Sequence, residues 1–101
     1  MSDTCNIALV GSKFMGRAHS NAWLKVNKFF DTPKNANMHT LLARNPEQTQ
    51  AFADQWGWQN ASTNAQEVLA NPDIHLVDIT TPNNAHLDLS VAALEAGKHV
   101  A

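Results

Sequence analysis

The chain has 101 residues, 44% hydrophobic and 16% charged, with a formal net charge of -2, which suits one globular core and is too short for two domains. No run of about eighteen apolar residues is present to span a bilayer, and the seven Lys and Arg, spread from Lys13 to Lys98, form no basic cluster of the kind nucleic acid requires. The opening Met1-Ser2-Asp3-Thr4 has no basic segment followed by an apolar run, so a cytoplasmic protein is expected, with neither membrane nor nucleic acid as partner.

Asn6-Ile7-Ala8-Leu9-Val10, closed by Gly11, reads as a short buried parallel strand. From Met15 to Lys28, Ala18, Ala22, Trp23 and Val26 recur at three- and four-residue intervals, which predicts a helix that packs this side on the sheet. Polar residues from Asp31 to Asn37 return the chain for a second strand, Met38 to Ala43. In Asn45-Pro46-Glu47, Asn caps free amides, Pro fits the first turn and Glu favours the positive end, so a second helix is expected to Trp56, stopped by Gly57. A third strand is expected around Trp58 to Ala61.

Thr63 with Gln66 resembles a capping box for a short helix through Leu69, and Asn71-Pro72 turns the chain into a fourth strand, Ile74 to Ile79. Asn83 and Asn84 precede a last helix in which Leu87, Val91 and Leu94 stand at i, i+4 and i+7, and Gly97 suits a left-handed cap. Lys98 to Ala101 begins a fifth strand. This alternation predicts an α/β fold, a doubly wound parallel sheet of the Rossmann type, forming one domain over residues 1–101 and stopping at the start of its fifth strand.

In such a sheet ligands bind beyond the carboxyl ends of the strands where strand order reverses, which brings forward the loops 11–16 and 80–86. Gly11-Ser12-Lys13-Phe14-Met15-Gly16 lies between a strand and a helix, as a dinucleotide fingerprint must, but Lys13 stands where the middle glycine is expected. Gly11 suits the tight turn, Gly16 close helix packing, and the helix amides a pyrophosphate. A plain strand-to-helix turn with a solvated Lys13 is the other reading of the same residues.

The second strand ends in Ala43-Arg44-Asn45. No carboxylate stands there for a ribose 2'-hydroxyl, whereas Arg44, aided by Lys13, suits a 2'-phosphate, which favours NADP over NAD. Cys5 is the sole cysteine, so no intrachain disulfide forms and no role is expected for it. His19, His39, His75, His86 and His99 lack the spacing of paired metal ligands, and no metal site is expected. His19 is expected to be structural, His86 either a helix-capping or surface histidine or a cofactor contact, and Trp23, Trp56 and Trp58 core or domain-interface aromatics.

The block Ile74-His75-Leu76-Val77-Asp78-Ile79-Thr80-Thr81-Pro82-Asn83-Asn84-Ala85-His86 goes with Gly11-Ser12-Lys13-Phe14-Met15-Gly16-Arg17-Ala18-His19 and Ala93-Leu94-Glu95-Ala96-Gly97-Lys98-His99-Val100. Together they make nearly the whole chain resemble the glucose-fructose oxidoreductase and inositol dehydrogenase family, also called Gfo/Idh/MocA, in order and approximate spacing. The resemblance implies that Gly11, Ser12, Phe14, Met15 and Gly16 line the pyrophosphate, with Thr81, Pro82, Asn83 and His86 near the nicotinamide and its ribose. Thr and Asn suit hydrogen bonds to ribose hydroxyls or the carboxamide, and Pro82 a rigid wall.

The resemblance further implies an oxidoreductase that transfers hydride between NAD or NADP and a sugar, inositol or related polyol. In relatives the chain continues into a glutamate-lysine-proline motif whose lysine assists proton transfer, and then into a second domain. Neither lies within these residues, so the chain by itself is expected to bind dinucleotide, to hold no catalytic residue, and to self-associate as a homo-oligomer through its uncovered sheet edge. A non-catalytic nucleotide-sensing module is the alternative function. A domain binding S-adenosylmethionine is disfavoured by Thr81-Pro82-Asn83.

Overall fold

The computed structural model describes residues 4–29, 35–81 and 83–101, without the side chains at 14, 26–29, 35 and 83–87. Strands β1 (Thr4–Val10), β2 (Asn35–Leu42), β3 (Asn60–Ser62), β4 (Leu76–Ile79) and β5 (His99–Val100) alternate with helices α1 (Phe14–Phe29), α2 (Pro46–Trp56), α3 (Ala65–Ala70) and α4 (Asn83–Glu95). The strands form one sheet in the order β3-β2-β1-β4-β5, and every pairing is parallel. Strand order reverses between β1 and β4, as the doubly wound reading requires.

Side chains alternate across the sheet, so each strand feeds two apolar layers. Ile7, Leu9, Met38 and Leu41 pack with Phe52, Ala53 and Trp58, and with the half-buried Trp23 of α1. Ala8, Val10, Leu42, Val77 and Ile79 pack on the opposite face with Val68 of α3 and Ala93 of α4. Each fully buried Leu, Ile or Val stabilises the fold by about 1.5–3 kcal/mol.

Met38 and Leu41 share a layer although three positions separate them, and the ladder explains it. Ile7 pairs with Met38 but Ala8 pairs with Thr40, with a register shift between them, so His39 is an extra residue that resets the alternation. Were the same residues to run as a straight strand without this bulge, Leu41 would face the α3 and α4 side.

The second helix forms as its sequence implies. Asn45 caps it through a side-chain bond from the Gln48 amide, and Gly57 closes it at φ 86° with its amide bonded to the Ala53 carbonyl. Gly97 (φ 80°) ends α4 the same way, with the Gly97 amide donating to Leu94 O and the Lys98 amide to Ala93 O, the double bond pattern of a Schellman cap.

Other expectations are corrected. Ala18 and Ala22 are exposed on α1, whose buried line is Gly16 and Ser20 with the half-buried His19 and Trp23. Small residues at helical spacing mark the sheet-facing side only if larger residues nearby do not claim it, and Trp23 does. Val91 and Leu94 are 45% and 61% exposed, and among the described side chains of α4 Ala93 is the buried one. Leu87 and Val26 belong to the side chains outside the description. The cap of α3 is Asn64, whose side chain accepts from the Glu67 amide, one residue later than the Thr63 box, because Asn64 and Glu67 offer the same capping geometry with an acidic first turn. The third strand begins at Asn60 rather than Trp58, which turns inward to bury its ring.

Lys98 lies 7% exposed just before β5, its Nζ donating to the carbonyls of Asn71 (2.7 Å) and Ile74 (2.8 Å). These bonds tie the start of β5 to the turn after α3. Burial pushes its ammonium below the usual lysine range, so in the window just under about 10.4 the unfolded chain holds more protons than the folded one. The contribution of this group to stability therefore rises with pH there. Lys98→Met leaves two carbonyls unpaired and is expected to cost about 1–3 kcal/mol, read as a drop in the thermal midpoint. Urea unfolding at pH 8 and pH 10 is expected to show a stability gain in the parent that the variant lacks.

Candidate functional site

The end of β1 meets the end of β4 at the carbonyl of Val10. That oxygen accepts the Thr80 amide at 2.9 Å and the Thr80 hydroxyl at 2.6 Å. Gly11 then leaves the strand at φ 111°, a conformation other residues rarely adopt, while its amide still bonds Leu42 O of β2. A methyl group on Gly11 would overlap the Thr80 hydroxyl, and one on Gly16 would overlap the Gly11 carbonyl oxygen. The two glycines are thus required by contacts inside the protein.

Past Gly11, Ser12 is half-buried and Lys13 exposed. The Lys13 carbonyl accepts the Arg17 amide at 2.9 Å, which is the first bond of α1, so the amides of Phe14, Met15 and Gly16 have no intrahelical acceptor. They lie at the positive end of the helix dipole. Met15 is exposed, as are Lys13 and Arg17, which places two cations around this first turn.

Across the crevice, Thr81 is half-buried, and its hydroxyl oxygen is buried with no hydrogen-bond partner among the described residues. Pro82 lies outside the described residues, as do the side chains of Phe14, Asn83 and His86, although Asn83 opens α4. Arg44 is exposed just beyond β2, held between Ala43, whose amide donates to Ser62 O, and Asn45, the cap of α2. The topology therefore brings the 11–16 turn and the Thr80-Thr81 segment together, with Arg44 on the neighbouring strand end.

Two residues here are not among those singled out from the sequence. Thr80 has a weak signal, a β-branched hydroxyl at a strand end. Asp78 has a clear one, a charge inside the apolar run Ile74 to Ile79. It is 2% exposed, and its Oδ2 accepts the Nδ1–H of His19 at 2.7 Å and the indole N–H of Trp23 at 2.9 Å. Nδ1 must carry the proton, since a carboxylate only accepts. His19 and Trp23 thus have packing and bonding partners within the fold, and Trp58 likewise donates its indole N–H to Ser20 Oγ at 3.0 Å.

A cavity of about 370 Å³ lies at the other end of the sheet, beside Cys5, His75 and Lys98. There the Asn6 amide donates to His75 Nδ1 at 2.9 Å. It sits at the strand starts, away from the switch point. No described helix is long and apolar enough to cross a membrane.

Comparison with known proteins agrees with this geometry. Residues 5–101 match the Gfo/Idh/MocA model, described as an oxidoreductase family with an NAD-binding Rossmann fold. A levoglucosan dehydrogenase of Pseudarthrobacter phenanthrenivorans is 38% identical over 96 residues, covering 94% of this chain and 25% of the relative. A solved levoglucosan dehydrogenase in complex with NADH and L-sorbose superposes with a TM-score of 0.93 at 38% identity, over 99% of this chain and 27% of that one. An oxidoreductase domain protein from Kribbella flavida superposes at 0.94 with 41% identity, over 99% of this chain and 26% of that one. The chain spans about a quarter of the length of the curated relatives it matches. This chain belongs to the Gfo/Idh/MocA oxidoreductase family and carries its NAD-binding Rossmann fold.

Proposed function

We propose that the crevice between the 11–16 turn and Thr80-Thr81 holds NADP or NAD, and that the chain is the cofactor-holding part of an oxidoreductase acting on a sugar, inositol or related polyol. The observation that carries this reading is the junction at the switch point. Gly11 and Gly16 let the backbone and the first turn of α1 close up against β4, so that helix amides without intrahelical acceptors and a buried Thr81 hydroxyl with no partner among the described residues border one crevice. Those groups fit a diphosphate-bridged dinucleotide. Amides at the positive helix end take the diphosphate, and a threonine hydroxyl takes a ribose hydroxyl or the carboxamide.

The nicotinamide, when bound, supplies or accepts the hydride. The residues of this chain would bind and orient: by the family resemblance Gly11, Ser12, Phe14, Met15 and Gly16 would hold the diphosphate and Thr81, Pro82, Asn83 and His86 the nicotinamide ribose, with the exposed Lys13 beside them. None is assigned to proton transfer at substrate, so no substrate turnover is expected from the 101 residues alone. Relatives named as levoglucosan dehydrogenases support a sugar-derived substrate class for the parent enzyme.

Arg44 supports NADP over NAD. It is exposed at the end of β2, where a guanidinium pairs with a 2'-phosphate by charge-assisted hydrogen bonds. A relative's structure holds NADH, so the preference rests on Arg44. Calorimetric titration is expected to show tighter NADPH than NADH binding, with Arg44→Ala losing about tenfold for NADPH and little for NADH, a difference of about 1.4 kcal/mol. Clearly tighter NADH binding by the parent would overturn the preference while leaving the cofactor reading intact. Gly16→Ala, whose methyl must displace the Gly11 carbonyl, is expected to weaken either cofactor by more than tenfold. Unchanged binding in that variant would place the dinucleotide elsewhere.

A further inference from the structure

Among the described residues, Asp78 is the one buried carboxylate, and apolar packing does not explain it. Its neighbours Val77 and Ile79 belong to the layer under α3 and α4. Asp78 points to the other face, where its register partner is Leu9 and the surrounding layer is Ile7, Leu9, Met38 and Leu41. Burying a carboxylate in such a layer carries a desolvation cost that an apolar side chain of similar volume avoids. A purely structural position would be served at least as well by leucine.

What the carboxylate adds is direction. Both donors, His19 and Trp23, lie on α1 four residues apart, one above the other on a single helix face, and both reach one oxygen, Oδ2. Apolar contact is non-directional and tolerates sliding or rotation of a helix over the sheet. Two hydrogen bonds converging on one atom fix both the rotation of α1 and its distance from β4. His19 follows Gly16 by three residues, within a turn of the free amides. On the other side, Asp78 precedes Thr80, which anchors the Gly11 turn, and Thr81, whose hydroxyl has no partner among the described residues. The same strand end therefore grips the helix that forms one wall of the crevice and carries the hydroxyl that forms the other.

We propose that Asp78 is a positioning residue for the dinucleotide site. Through His19 and Trp23 it sets the separation between the first turn of α1 and the end of β4. This rests on the cofactor reading above, and it assigns Asp78 no contact with the cofactor itself.

Asp78→Leu and Asp78→Asn separate this role from a structural one. Asparagine keeps an oxygen for both donors, whereas leucine releases them. His19 and Trp23 are only partly buried, so their freed N–H groups reach water and the leucine variant keeps its thermal midpoint within a few degrees. In the intact chain, the affinity for NADH by calorimetry is expected to fall tenfold or more in Asp78→Leu and to stay within threefold in Asp78→Asn. Amide hydrogen exchange without cofactor is expected to quicken at least fivefold at Arg17 to Ser20 in Asp78→Leu, with β1 and β2 unchanged.

NADH affinity within twofold of the parent in Asp78→Leu, or unaltered exchange in α1, overturns the proposal. If that variant does not fold, Trp23→Phe decides: a roughly threefold loss supports the proposal and an unchanged affinity overturns it. A parent chain that binds neither NADH nor NADPH defeats the cofactor reading instead, and the exchange rates of α1 then judge the tether alone.

Discussion

One carbonyl oxygen, that of Val10, joins the parts of this molecule that frame the proposed ligand crevice. By accepting both the amide and the hydroxyl of Thr80, it locks together two segments 70 residues apart in sequence at the point where strand order reverses. The Thr80 side chain then occupies the space where a Gly11 side chain would lie, and the Gly11 carbonyl occupies the space of a Gly16 side chain. A strand end, a turn and a helix start nest in succession, each allowed by the absence of a carbon on its neighbour. The helix start, with its amides that lack intrahelical acceptors, follows from that nesting.

The two ends of the sheet are built differently. At the strand starts, a row of amide side chains crosses the sheet: Asn6 Nδ2 donates to Asp73 O, Asn37 Nδ2 to Asn6 Oδ1, and Gln59 Nε2 to Asn37 Oδ1. With Lys98 on the carbonyls of Asn71 and Ile74, this end uses its polar groups on itself. At the carboxyl ends, the Thr81 hydroxyl has no hydrogen-bond partner among the described residues, and the first-turn amides have no intrahelical acceptor. The asymmetry supports the proposed site at the carboxyl ends.

Much of the fold was legible because its signals are local. The Asn45-Pro46-Glu47 start and the Gly57 and Gly97 stops are decided within a few residues, and the order of strands and helices follows from them. The faces of α1 and α4 were less legible, since which side of a helix is covered depends on partners far along the chain. Ala18 and Val91 sit at plausible core spacings but face solvent, while Ser20 and Ala93 are buried. The two glycines of the site were legible because their backbone demands are intrinsic. Thr80 was not, because its role exists only once β4 lies beside β1. Asp78 carried a signal that the sequence reading passed over, a charge in an apolar strand, and its partners on α1 could not be read without the fold.

The extra residue at His39 bears on how this chain is compared with its relatives. Because β2 absorbs one additional position between Met38 and Thr40, a homologue whose second strand runs straight would match it only with a gap there. Counting forward from Asn35 would then misassign every later position of the strand by one, up to Arg44, the residue proposed to read the 2'-position of the coenzyme. Equivalences across this family at Arg44 should be anchored from Leu42 and the Asn45 cap backwards.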